Sequence, residues 1–129
     1  MGGPYLSPVP TPRITVAEIE QARETVAQQG WSLAPGAFVD PVAGTCCGLS
    51  AVAIARGLCT APDIEAAADR DGDPTEFLAG LLGLPEAYCG GFVCGFDRIK
   101  FRGTNGTVDA GYQHGIAAAE AIFESEVLT

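Results

Sequence analysis

The sequence predicts an all-α fold: one compact domain of five to six short helices behind an extended, proline-rich N-terminal arm. Three observations carry that expectation. Apolar residues recur three and four positions apart in successive stretches, the spacing that lines one face of a helix. These stretches are opened by Thr, Asp or Pro and closed by Gly, the residues that start and stop helices. No alternating apolar–polar run of strand length interrupts them. The segments with some strand character are 31–39 and 99–102.

Residues 1–13, MGGPYLSPVPTPR, hold four prolines and two glycines and show no helical period. They form the arm, of polyproline character, and residues 14–129 form the domain. Thr15 caps the first helix, with Glu18 completing a capping box and Ile14 stapling onto Ile19. Its apolar stripe is Ile19, Ala22 and Val26, and Gly30 stops it. Residues 31–45 are loop, broken by Pro35 and Pro41, with Trp31, Leu33, Phe38 and Val39 tucked into the core.

A second helix runs from Cys47 to Arg56 and ends at Gly57. Thr60-Ala-Pro-Asp63 opens a third, to about Asp69. Asp73 caps a fourth with Pro74 at its first position. Phe77, Leu78, Leu81 and Leu82 are its buried stripe, and Gly83 closes it. A fifth starts at Pro85 and reaches about Ile99. Thr107 caps a sixth, which runs to Glu124 with Tyr112, Ile116, Ala119 and Phe123 on one face.

The 129 residues are 47% hydrophobic and 18% charged, which suits one globular core. A formal charge of −9, with Lys100 the single lysine, argues against direct contact with nucleic acid or an anionic bilayer. It suits a basic protein partner. No charged segment followed by an apolar one opens the chain, so a signal peptide is not expected. The five cysteines are then expected to be reduced, in the cytoplasm or in a particle assembled there. No apolar stretch approaches the length of a membrane span.

Two glycine–aromatic units mark the C-terminal half: Tyr88-Cys-Gly-Gly-Phe92-Val-Cys-Gly95-Phe96 and Gly111-Tyr112-Gln-His-Gly115. Glycines four apart share one helix face, and an interior glycine costs about 1 kcal/mol of helix propensity relative to alanine. Close approach of a second backbone offsets that loss. Gly91 and Gly95 are therefore expected to face Gly115 and Ala118 in a helical hairpin across the 102–106 turn. Tyr88, Phe92, Phe96 and Tyr112 would fill the flanking volume.

Gly111-Tyr-Gln-His-Gly115-Ile-Ala is similar to the first-helix motif of the small ribosome modulation (hibernation) factors, and Gly91-Phe92 loosely resembles their second glycine–aromatic pair. Here the two units come in the opposite order, and the net charge has the opposite sign from a ribosomal RNA binder. No function is carried over from the resemblance.

Cys46 and Cys47 lie at a helix start, where backbone N–H groups lower a thiol pKa. With His114, oriented by Asp40, Asp97 or Asp109, they could form a nucleophilic pair. Cys46, Cys47, Cys59, Cys89, Cys94 and His114 could alternatively hold zinc, although the spacings are not those of paired zinc ligands. Asp69, Asp71 and Asp73 have a calcium-loop rhythm, but Pro74 and Gly80 stand where such a loop needs Gly and Glu. No metal, cofactor or catalytic residue is expected from this pattern.

The leading expectation is a non-catalytic protein acting through protein–protein contact or self-association. It would be a structural or accessory subunit of a viral or phage particle or a bacterial complex, with Tyr5, Leu6, Val9 and Ile14 as anchors. A second reading is an acidic inhibitor that mimics nucleic acid on a basic target through Asp63, Glu65, Asp69, Asp71, Asp73 and Glu76. A third is a small Cys/His enzyme or zinc protein.

Overall fold

A computed structural model of the chain describes residues 13–97 and 106–124. The segment 99–102, the arm residues 1–12 and the C-terminal residues 125–129 lie outside the described part. Within it, the order is α1 (Val16–Ala27), β1 (Ser32–Leu33), β2 (Val39–Asp40), β3 (Thr45–Cys46), α2 (Gly48–Ala55), α3 (Ala61–Asp71), α4 (Thr75–Leu82), α5 (Glu86–Phe96) and α6 (Gly106–Ala119). A π-helical turn, Glu120–Glu124, continues α6.

The fold is mostly helical but not all-α. β3 lies between β1, to which it is parallel, and β2, to which it is antiparallel. The strands are only two residues long, too short for alternation to register in a sequence. They arise because the chain between α1 and α2 passes beside the core, burying Leu33 and Cys46, and its backbone polar groups need partners there. Asp40 bends the return by accepting from the Val42 and Ala43 N–H groups, both at 3.1 Å.

Thr15 caps α1 by accepting from the Glu18 N–H at 3.2 Å. Glu18 does not complete the capping box: its carboxylate takes the Arg56 guanidinium fork at 2.7 and 2.8 Å, tying α1 to the end of α2. A two-point ionic contact is stronger than one neutral cap bond. The reciprocal box forms instead at α3, between Thr60 and Asp63. At α4 the cap is displaced by one residue. Asp73 Oδ1 accepts from both the N–H and the hydroxyl of Thr75, at 2.8 and 2.6 Å, with Pro74 in the N-cap position.

α2 is the centre of the core, with every residue from Gly48 to Ile54 buried. A helix apolar all round can only be enclosed. At Gly48 a β-carbon would fall 2.9 Å from the Phe96 ring and 3.2 Å from Ile19 Cδ1, so this glycine seats α5 and α1 against α2. Phe92 and Phe96 are fully buried, with ring centroids 6.3 Å apart.

Candidate functional site

The glycine units bring α5 and α6 together backbone to backbone. A β-carbon on Gly91 would overlap the Val108 carbonyl oxygen, and one on Gly95 that of Tyr112. On the other helix, a β-carbon on Gly111 would overlap the Tyr88 carbonyl oxygen, and one on Gly115 that of Phe92. Each glycine thus sets its Cα–H groups against a carbonyl of the opposite helix, a weak but repeated attraction. Residue numbers rise together along both helices, so α5 and α6 run parallel and do not form a hairpin. Gly91 and Gly95 accordingly face Gly111 and Gly115, not Gly115 and Ala118.

Tyr88 closes one end of this seam. Its hydroxyl accepts from the Ile14 N–H at 3.0 Å and lies 2.5 Å from His114 Nδ1. The hydroxyl thus ties the start of α1 to α6, and which partner donates in the Tyr88–His114 bond follows the tautomer of the ring. Ile14 is 3% exposed and belongs to this domain's own core, so it is not available as a partner anchor. Tyr5, Leu6 and Val9 lie outside the described residues.

The thiols are not activated. Burial pushes Cys46 up to about 12, helped by the neighbouring charge of Cys47. Cys47 caps α2, its Sγ 3.5 Å from the Ser50 N–H and 3.4 Å from the Ser50 hydroxyl. Those bonds favour the thiolate, as expected of a helix start, but burial outweighs them and raises the pKa. Of the carboxylates considered for His114, Asp40 holds the 40–43 turn and Asp97 accepts from the Gly36 N–H at 3.0 Å. Burial also pushes Cys89 up to about 11. Among the described residues no three or more His, Cys, Asp or Glu side chains gather as a metal site.

Smaller hollows, of about 210 Å³ beside Arg13, Val16 and His114 and about 160 Å³ between α1 and α2, accompany two larger ones that adjoin α3. A groove of about 550 Å³ at its N-terminal end is lined by Trp31, Ile54, Leu58, Cys59, Pro62 and Asp63, with Leu58 40% exposed. A second, of about 410 Å³, lies between its C-terminal half and β2. Its lining includes the half-buried Phe38 and Val39, the buried Ile64 and Pro74 behind them, and the carboxylates of Glu65, Asp69 and Asp73. Trp31, Phe38 and Val39 are half-buried, so each packs on the core and shows a surface to a groove. The expectation that they tuck in is met on one side only. Their signal in the sequence is an aromatic residue set in a Pro/Gly loop instead of a helix stripe.

Among the described residues no single helix is long and apolar enough to cross a membrane. No protein-family model, curated protein or solved structure matches the chain. Packing of α5 on α6 accounts for the two glycines of the Gly111–Ala117 motif.

Proposed function

We propose that this protein works by contact with other proteins, as a structural or accessory subunit of a larger assembly such as a viral or phage particle or a bacterial complex. The supporting observation is the α3 face. It carries two open grooves, each with a half-buried aromatic side chain, one with Asp63 in its lining and the other with Glu65, Asp69 and Asp73. Aromatic and apolar anchors within a polar rim are the anatomy of protein interfaces. Cys46 and Cys47 are by contrast buried, and His114 is bonded to Tyr88.

The test is the mass at which the protein elutes, at physiological salt, from cells that make it naturally. Elution in an assembly several times the mass of one chain is expected; elution as a free chain would remove the proposal. Deleting residues 1–12 examines the arm separately. If assembly were unchanged, Tyr5, Leu6 and Val9 would be discarded as anchors and the α3 face would remain.

One observation favours the acidic-inhibitor reading as the second. Asp63, Asp69, Asp71, Asp73 and Glu76 are exposed and Glu65 half-buried within residues 63–76. Such a protein would bind a basic target with an affinity falling steeply as salt rises. Salt-insensitive association would count against it.

A further inference from the structure

We propose that the groove between α3 and β2 receives a basic, amphipathic segment of a protein partner, with an apolar side chain on Phe38 and arginine or lysine heads against Glu65 and Asp69. The inference rests on the contact reading above and names the chemistry of the partner at this face.

The groove has the two parts such a segment needs. Its accessible apolar surface comes from the half-buried Phe38 and Val39, backed by the buried Ile64 and Pro74, and its volume of about 410 Å³ accommodates a large side chain. Its rim is anionic. Glu65 and Asp69 make no hydrogen bond or ion pair with any described residue. The nearest cation in sequence, Arg70, is turned to Asp71 at 3.2 Å.

These carboxylates also stand where α3 itself is worse for having them. Glu65 and Asp69 are four residues apart on one helix, where like charges repel. Asp69 and Asp71 lie in the last turn, at the negative end of the helix dipole. A fold selecting only for its own stability would put cations there. A cationic partner relieves both repulsions on binding, and the apolar floor distinguishes it from a merely charged polymer. A nucleic acid or an anionic bilayer would add to the repulsion instead.

The test uses the full chain, labelled with nitrogen-15, and a helix-forming probe peptide of about 15 residues with a leucine flanked by two arginines on one face. Amide shifts are expected to cluster at Phe38, Val39 and Ile64–Gly72. Affinity is expected to fall about tenfold for the Glu65→Gln/Asp69→Asn variant, for Phe38→Ala, and for a probe with serine in place of leucine. The double variant should melt no lower than the parent chain, which keeps it a fair control for folding.

Shifts spread over the whole acidic surface, or equal affinity for the double variant, would overturn the proposal. Binding of the serine probe as tight as the leucine probe would do the same and favour the acidic-inhibitor reading. Shifts that appear without peptide as concentration rises would assign the groove to a second copy of this chain, which also overturns it. If the probe fails while the native protein still elutes in a large assembly, the groove is discarded and the contact reading stands. Native elution as a free chain would discard both.

Discussion

The α5–α6 seam and the α3 face use their residues for opposite ends. Along the seam, Gly91, Gly95, Gly111 and Gly115 give up helix propensity, about 1 kcal/mol each relative to alanine, so that two backbones can touch. What is lost locally returns as packing, with Tyr88, Phe92 and Phe96 buried beside the contact. Across the α3 face, Glu65, Asp69 and Asp71 give up helix stability and receive nothing back from the described fold except the Arg70 contact of Asp71. A local sacrifice repaid inside the molecule marks architecture. One left unrepaid points outward, to whatever binds.

The seam offers the largest effect by which that comparison can be broken. Gly95→Ala or Gly111→Ala would drive a β-carbon into a backbone carbonyl, which cannot swing aside as a side-chain tip can. A loss of about 3 kcal/mol or more is expected, at or beyond the upper end of overpacking costs, and chemical denaturation reads it. Stability equal to the parent would mean the helices do not touch there. Gly90, one residue from Gly91, has nothing within 4 Å of its would-be β-carbon. Gly90→Ala should therefore raise stability, by up to about 1 kcal/mol.

Next in size is Tyr88→Phe, which removes the buried acceptor of the Ile14 N–H and the partner of His114. An orphaned buried donor costs about 1–3 kcal/mol, and hydrogen exchange at the Ile14 amide should accelerate. Unaltered exchange would show that this link does not pin the start of α1. Thiol chemistry sharpens the same contrast between inside and outside. At neutral pH, Cys46, Cys47 and Cys89 should alkylate only as fast as the chain opens, while the half-buried Cys59 and Cys94 react first. Rapid, selective labelling of Cys46 or Cys47 would instead restore the nucleophile reading.

Asp97 gives a smaller, pH-dependent effect. Burial raises its pKa above the ordinary 3.8, against the pull of the Gly36 N–H. Between 3.8 and the raised value the folded state binds more protons than the unfolded one, so stability from this group falls as pH rises. Asp97→Asn keeps the acceptor and loses the charge. Its stability should match the parent below that window and exceed it above. A variant weaker than the parent at neutral pH would show that the charge on Asp97, and not only its oxygen, holds the Gly36 loop.

How far the sequence discloses each region follows from how local its signals are. Glycine spacing is written within one helix, so the close-packed faces at 91, 95, 111 and 115 are legible. The direction of packing is not, because that spacing serves parallel and antiparallel pairs alike and the connection between them does not force a hairpin. Caps at α1, α3 and α4 are legible to within a residue, as Thr15, Thr60 and Asp73 show, whereas Thr107, expected to cap α6, lies inside a helix that begins at Gly106. Glu18 is redirected by Arg56, 38 residues away. The strands escape notice because each is two residues long. The α3 groove is assembled from 37–39, 64–69 and 72–74, and no single stretch of sequence carries its shape. The Cys47 pKa reverses for a similar reason: its helix start is local, while its burial is set by the whole core.

Neutralising α3 tests most directly the claim that this face is charged for a partner and not for the fold. The measurement is the melting temperature of Glu65→Gln/Asp69→Asn against the parent chain at low salt. Relief of a like-charge pair and of an acid at the helix C-terminus is worth about 0.5–1.5 kcal/mol together, so a rise of a few degrees is predicted. A fall would contradict the account, because those carboxylates would then be serving the domain itself.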